Sequence, residues 1–211
     1  MLSRSGYVIP KSDEFKDKHR TVLTVRPVVN GDYGVRPPSF KVYKPFKNHI
    51  AIPRYYGQEH VGTRELIDKR PDPHACSFKF TGKLRDATRQ NEAFDKAVSA
   101  MNSRGGGILS LPCGYGKTTV ALAIAAHMKV RTMVIVHKEF LANQWRERIQ
   151  QFCPGATIGI VQQNKVNVDC DIVIAMLQSL AMKDYDTGVF DSVGMVIVDE
   201  AHHICAKVFS Q

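Results

Sequence analysis

Leu111-Pro112-Cys113-Gly114-Tyr115-Gly116-Lys117-Thr118 decides the fold. It follows a short apolar run, Gly107 to Leu111, and opens an alanine-rich stretch, Thr118 to Met128, so a strand, a glycine-rich turn and a helix are expected in that order. Gly114 and Gly116 let the backbone turn tightly and present N–H groups inward, while the helix N-terminus adds positive potential at the same place. Such an array cradles phosphate. Lys117 would reach the β- and γ-phosphates of a nucleotide and the Thr118 hydroxyl would coordinate Mg²⁺, with Pro112, Cys113, Tyr115 and Thr119 completing the lining. Leu111 stands where the general pattern has its first glycine, a departure that leaves the phosphate-touching residues unaltered. A glycine-rich turn that merely carries Gly-Lys-Thr is the bland alternative, and a second motif separates the two.

About 80 residues further on, Met195-Val196-Ile197-Val198 runs into Asp199-Glu200-Ala201-His202. Adjacent carboxylates at the carboxyl end of an apolar strand lie on the ligand side of a parallel α/β sheet, where they are costly unless a cation or a reaction uses them. Asp199 would hold Mg²⁺, and Glu200 would orient and deprotonate an attacking water. Between the motifs, short apolar runs alternate with amphipathic stretches, the pattern of β-α units around a parallel sheet. Expected strands are Gly107 to Leu111, Thr132 to Val136, Thr157 to Val161, Asp171 to Ala175 and Gly194 to Val198. Expected helices are Asn91 to Asn102, Thr118 to Met128 and Lys138 to Phe152, the last with Leu141, Trp145, Ile149 and Phe152 at near-helical spacing. His202, His203 and Cys205 crowd together without a distant ligand pair, which does not match a zinc spacing.

Composition bounds the rest. The 211 residues are 44% hydrophobic and 23% charged, ordinary for a globular chain and enough for one large or two small domains. The longest apolar stretches fall far short of the ~20 residues of a membrane helix, and no signal-peptide core opens the chain. Five scattered cysteines, Cys76, Cys113, Cys153, Cys170 and Cys205, form no C-x-x-C pair and read as reduced thiols. A non-secreted protein of a reducing intracellular compartment is expected: nucleus, cytoplasm or viral factory. The net charge of +9 is uneven, with 16 basic against 8 acidic residues through Lys83 and 13 against 12 after it. Eight of the ten prolines also precede that point, and Arg70-Pro71-Asp72-Pro73 would break any helix, so a domain boundary is expected near residues 70 to 84.

The basic first unit, residues 1–80, reads as β-rich. Thr21 to Val29, Phe40 to Tyr43 and His49 to Ile52 are strand candidates, with Asn30-Gly31-Asp32 and Arg36-Pro37-Pro38-Ser39 as turns and Pro27 ending or edging the first. Lys41, Lys44, Lys47 and Arg54 lie among Phe40, Tyr43, Phe46, Tyr55 and Tyr56, a pattern compatible with a face that meets a nucleic-acid backbone. A solvated basic face over an aromatic core is the alternative.

Over about residues 84 to 205 the phosphate loop, the Asp199-Glu200-Ala201-His202 box and the stretches between them resemble the first RecA-like domain of superfamily 2 helicases of the DEAD/DEAH type. The branch resembled is that of the DNA translocases of transcription and excision repair and their relatives in large DNA viruses. The resemblance implies an α/β RecA-like fold over 84–211 behind a small β-rich accessory domain, an ATP hydrolase using Mg²⁺, and a nucleic-acid track. Lys117, Asp199 and Glu200 would be catalytic, and His202 would couple the site to the rest of the motor. Val134 to Trp145 resembles the segment that contacts the nucleic-acid backbone; His137 and Lys138 are its candidates, while Leu141 and Trp145 read as core. Ala175 to Leu180 resembles the later strand-end motif in which Gln178 and Ser179 would meet the tracked strand, with Met176 in place of the usual Thr. Leu84-Arg85 and Gln90 resemble the adenine-reading segment. Thr88 stands where this branch has its glutamine, so either a longer turn brings Gln90 to the base, with Arg85 beside it, or Gln90 is a surface residue. Gly6 to Pro10 and Pro53 to Gly57 resemble the accessory region of viral members.

Such a motor needs a second RecA-like domain, in cis or in trans, to supply an arginine finger. None is read within these 211 residues, so the expectation is half of a motor that binds ATP and DNA without unwinding. The branch resembled favours DNA, with RNA as the narrower rival. A nucleic-acid-binding or regulatory module with a vestigial nucleotide site is the competing class. Transcription or repair machinery would be the wider partner, and no membrane is involved.

Overall fold

The computed structural model describes residues 1–12, 18–26, 38–62, 67–186 and 188–202. The chain divides into two compact units between Pro71 and Asp72, inside the Pro-rich stretch that marked the boundary in the sequence.

In the first unit, β1 (Leu2–Ser3), β2 (Gly6–Pro10), β5 (Lys44–Pro45) and β6 (His49–Ile52) form an antiparallel sheet in the order β1-β2-β6-β5, and β3 (Thr24–Val25) pairs with β4 (Phe40–Lys41). Leu2, Tyr7, Leu23, Ile50 and Ile52 form its core. The helix α1 (Arg54–His60) packs close to β2: a Cβ on Gly57 would fall 2.3 Å from the Tyr7 ring, so only glycine fits there. The expected strand Thr21 to Val29 is realised as Thr24–Val25; its residues 27–29 and the turns at 30–32 and 36–37 lie outside the described residues. The basic side chains lie over aromatic rings, Lys41 above Tyr43, Lys44 above Phe46 and Arg54 above Tyr55, at 5.5 to 6.0 Å.

The second unit is the α/β domain the motifs implied. After a single 3₁₀ turn (Asp86–Thr88) come α2 (Gln90–Arg104), α3 (Lys117–Met128), β7 (Thr132–Val136), α4 (Glu139–Phe152), β8 (Ile158–Gln162), β9 (Lys165–Val166), β10 (Ile172–Met176), α5 (Leu177–Met182) and β11 (Met195–Val198). The sheet order is β11-β7-β10-β8-β9, parallel except for the β8-β9 hairpin. All five side chains of β10 are buried because both faces of the sheet are covered there. On one face Val134, Val136, Ile172, Ile174 and Met195 pack with Val120, Leu122 and Ile124 of α3 and Trp145 and Ile149 of α4. On the other, Met133, Val161, Val173 and Ala175 pack beneath Leu180, Tyr185, Phe190 and Val193.

Two expectations change. Residues 74–81 hydrogen-bond into the second unit, through His74 to Arg131, Cys76 to Lys129 and Thr81 to Phe152, so the first unit ends earlier than residue 80. Gly107 to Leu111, expected as a strand, is not one: Ile108 is 95% exposed, and β11 forms the sheet edge with Val196 exposed. Three consecutive glycines, two of them at positive φ, end α2 and leave four residues to form a strand, too little side-chain surface to offset the ordering entropy of the glycines.

Asp171 ties the amino ends of three strands. Its carboxylate accepts hydrogen bonds from the Thr157 amide (2.8 Å) and hydroxyl (2.7 Å), its own amide donates to that hydroxyl, and its carbonyl accepts from Thr132. Burial alone would raise the Asp171 pKa, but the Thr157 bonds and the Cys76 thiol outweigh it and hold the carboxyl below its ordinary value. Asp171→Ala is expected to cost about 1–2 kcal/mol, partial exposure keeping the loss modest. A lowered pKa contributes stability that is complete above the unfolded value of about 4 and lost as pH falls through the folded value. The Tm gap between the unaltered chain and Asp171→Ala should therefore be full at pH 7 and narrow below pH ~4, by thermal melting.

Candidate nucleotide and nucleic-acid site

Parallel strands put their carboxyl ends on one edge, and three sequence-predicted groups meet there. β7 leads into His137 and Lys138, β10 into Gln178 in the first turn of α5, and β11 into Asp199 and Glu200. The ladder continues one residue past β11, the Asp199 amide donating to Ile135 O at 3.0 Å, so the backbone of the first acidic residue is fixed by the sheet itself. Glu200 follows in left-handed conformation, φ 54°, a region in which a non-glycine residue is strained.

The phosphate loop turns as the glycines require, with Gly114 at φ 81° and Gly116 at φ 78°, and α3 starts at Lys117. No heavy atom lies within 4 Å of a Cβ built on Gly114, whereas one on Gly116 would lie 2.7 Å from Gln90 Nε2. Pro112, Cys113, Gly114 and Tyr115 are exposed along the loop, and Thr118 and Thr119 are half-buried in the first turn of α3. Lys117 Nζ lies 3.9 Å from Glu200 Oε1, which brings the two motifs together, and His202 Nδ1 lies 3.5 Å from Glu200 Oε2. His203 and Cys205 lie outside the described residues.

Gln90 is not on the surface. It is 1% exposed; its Oε1 accepts from the Arg85 amide at 2.9 Å and its Nε2 donates to Tyr115 O at 2.6 Å. It clamps the phosphate loop to the turn before α2, and the Arg85 side chain remains exposed. On the other side of the edge, Gln178 Nε2 donates to His137 O at 2.8 Å, joining two of the expected backbone-contacting segments. Ser179 Oγ accepts from the Gln163 amide at 2.9 Å, and Lys138 stands exposed above the Phe140 ring.

Sequence reasoning assigned Trp145 to the core alone. It is 2% exposed, but its Nε1 donates to Asp199 Oδ2 at 2.8 Å. A buried indole N–H must find an acceptor, so the demand was legible although the partner was not. Burial raises the Cys76 and Cys153 thiols to about 11, keeping them protonated, while Cys113 on the phosphate loop is exposed.

The donor set suits a magnesium nucleotide: open backbone at a loop leading into a helix N-terminus, one lysine, one hydroxyl and two carboxylates. Residues 83–211 match the model of the family "Type III restriction enzyme, res subunit". "Putative ATP-dependent RNA helicase L396" of Acanthamoeba polyphaga mimivirus is 36% identical over 217 residues, an alignment covering 99% of this chain and 41% of the viral protein. "DNA 3'-5' translocase XPB2" of Sulfurisphaera tokodaii is 31% identical over 163 residues, covering 75% of this chain and 34% of that protein. The chain thus spans between a third and about two fifths of the length of these relatives. Among solved structures, the Sulfolobus solfataricus SWI2/SNF2 ATPase core in complex with dsDNA superposes with a TM-score of 0.51 at 21% identity, over 63% of this chain and 30% of that one, a likeness of fold. The matched residues contain both the phosphate loop and the acidic box, and the chain belongs to the type III restriction enzyme res-subunit family as the N-terminal RecA-like portion of a superfamily 2 helicase.

Proposed function

We propose that this chain is the ATP-binding half of a motor that couples ATP hydrolysis to movement on DNA. The observation that carries the reading is the approach of Lys117 to Glu200, which sets a phosphate-binding cation and a proton-accepting carboxylate across one opening. In this reading the loop amides from Cys113 to Gly116, Lys117 and Thr119 hold the phosphates. Thr118 and Asp199 would hold Mg²⁺, which would supply charge neutralisation for the phosphates. Glu200 orients the attacking water and accepts its proton, and His202, against the far oxygen of Glu200, relays the state of that carboxylate. Gln90 and Arg85 serve the nucleotide through the loop they brace, whatever contact Arg85 adds. A second RecA-like domain, in cis or in trans, supplies the arginine finger, worth ~10³ to 10⁵ in turnover, so these 211 residues alone hydrolyse ATP slowly.

His137, Lys138, Gln178 and Ser179 form the track side, and the basic first unit, residues 1–71, adds phosphate contacts through Lys41, Lys44, Lys47 and Arg54. The name of the archaeal relative, a DNA translocase, favours DNA; that of the mimivirus relative favours RNA as the second reading. A regulatory module with a vestigial nucleotide site is distinguished by binding alone.

A fluorescent ATP analogue with Mg²⁺ is expected to bind the purified chain, and Lys117→Ala to weaken it at least ~10-fold. Equal binding by both would overturn the phosphate-loop assignment. Cys113 is expected to react with an alkylating reagent ahead of Cys76, Cys153 and Cys170, and saturating Mg·ATP to slow that reaction severalfold, read by peptide mass mapping. For the track, affinity for duplex DNA should fall by at least ~10-fold between 50 and 200 mM salt, as phosphate contacts demand. A constant unchanged across that range, or a preference for RNA duplex, would remove DNA as the track.

A further inference from the structure

Trp145 is the sole tryptophan of the chain, and its indole is enclosed by the cluster that joins α3 and α4 to the sheet. An indole buried there needs an acceptor for its one donor, Nε1, and it finds one at the edge of the core in Asp199 Oδ2 at 2.8 Å. Asp199 is held from two directions: its amide by Ile135 O at 3.0 Å, and its carboxylate by the indole. With Oδ2 committed to a donor that has a single N–H and a packed ring behind it, the carboxyl group cannot rotate freely about χ2, and Oδ1 is the oxygen left for a cation. Hydrogen bonds from outside a metal's own ligands fix the direction of the ligating atom, and their loss lowers metal affinity ~10- to 100-fold.

We propose that Trp145 is a positioning residue for the divalent cation that accompanies the nucleotide, holding Asp199 in the orientation in which it binds the metal. The proposal rests on the nucleotide reading above. It deepens that reading by assigning a role to a side chain of α4 buried in the core. It also separates two functions of one residue: the ring stabilises the fold, and the N–H serves the metal. Trp145→Phe keeps a six-membered aromatic ring and removes the donor together with the five-membered ring that carries it; the lost volume weakens binding with and without Mg²⁺ alike, so metal dependence should change far more than nucleotide affinity itself.

The test uses the 211-residue chain with a non-hydrolysable fluorescent ATP analogue. In the unaltered chain, the single indole N–H resonance in a ¹⁵N–¹H correlation spectrum should move when Mg²⁺ is added to the analogue complex. The same addition to Asp199→Asn should move it little. In Trp145→Phe, analogue binding in EDTA should stay within ~2-fold of the unaltered chain, while the Mg²⁺ concentration for half-maximal enhancement of binding should rise ~10-fold. An indole resonance indifferent to Mg²⁺ while the analogue binds overturns the proposal, and this readout stands even if Trp145→Phe fails to fold. Equal weakening with and without Mg²⁺ also overturns it, because it assigns Trp145 a structural role only. No analogue binding by the unaltered chain overturns the nucleotide reading, and this proposal with it.

Discussion

The parallel pairing of β7 with β10 on one side and β11 on the other is the constraint on which the second unit depends. Because the three strands run the same way, their carboxyl ends share an edge, and the residues that follow them meet without any long loop to place them. Asp199 gains its position by one extra rung to Ile135, and Gln178 by one bond to the His137 carbonyl. Parallel ladders require both faces covered, and the cover on one face is α3 and α4. Those helices are the ones that begin with Lys117 and carry Trp145. The burial that stabilises the sheet therefore also delivers Lys117 and the indole to the acidic edge.

Where hydrophobic pattern and ladder pairing agree, the sequence was legible almost to the residue. Thr132 to Val136 is β7 as read, and the neighbouring strands and helices shift by a residue or two, the usual fraying of element ends. Gly107 to Leu111 was misread because apolar character indicates a wish to be buried and says nothing of a partner for the backbone. Its glycines could equally announce the helix stop that Gly105 provides at φ 77°. Gln90 and Trp145 were illegible for a different reason. Each makes a bond to a residue 25 or 54 positions away, and no local period encodes which distant acceptor a buried donor will find.

The empty space of the loop and the pairing of its lysine follow one electrostatic logic. Lys117 and Glu200 are each about 40% solvent-exposed and 3.9 Å apart, a contact of little net worth in water-accessible surroundings. It compensates the lysine cheaply, and in the proposed function it gives way to a polyphosphate, whose charge and fixed geometry offer more. The strain at Glu200 belongs to the same account. A left-handed residue directly after a ladder-fixed Asp199 swings the second carboxylate out of line with the strand, towards Lys117 rather than along the sheet.

In the function proposed above, the two units answer the charge of an anionic ligand in opposite ways. Through Pro71 the chain carries 14 basic and 7 acidic residues, and after it 15 and 13. A surplus of that size acts as a field: it concentrates polyanions nearby and is screened within about a Debye length. The near-neutral second unit cannot select an anion that way, so selection there must come from placed groups at short range: amide N–H vectors, one lysine and two carboxylates. Placed groups tolerate little movement, which explains why so much buried machinery is spent on holding them. Gln90 fixes the loop from behind, the Ile135 carbonyl fixes the Asp199 backbone, and the Trp145 indole fixes its side chain.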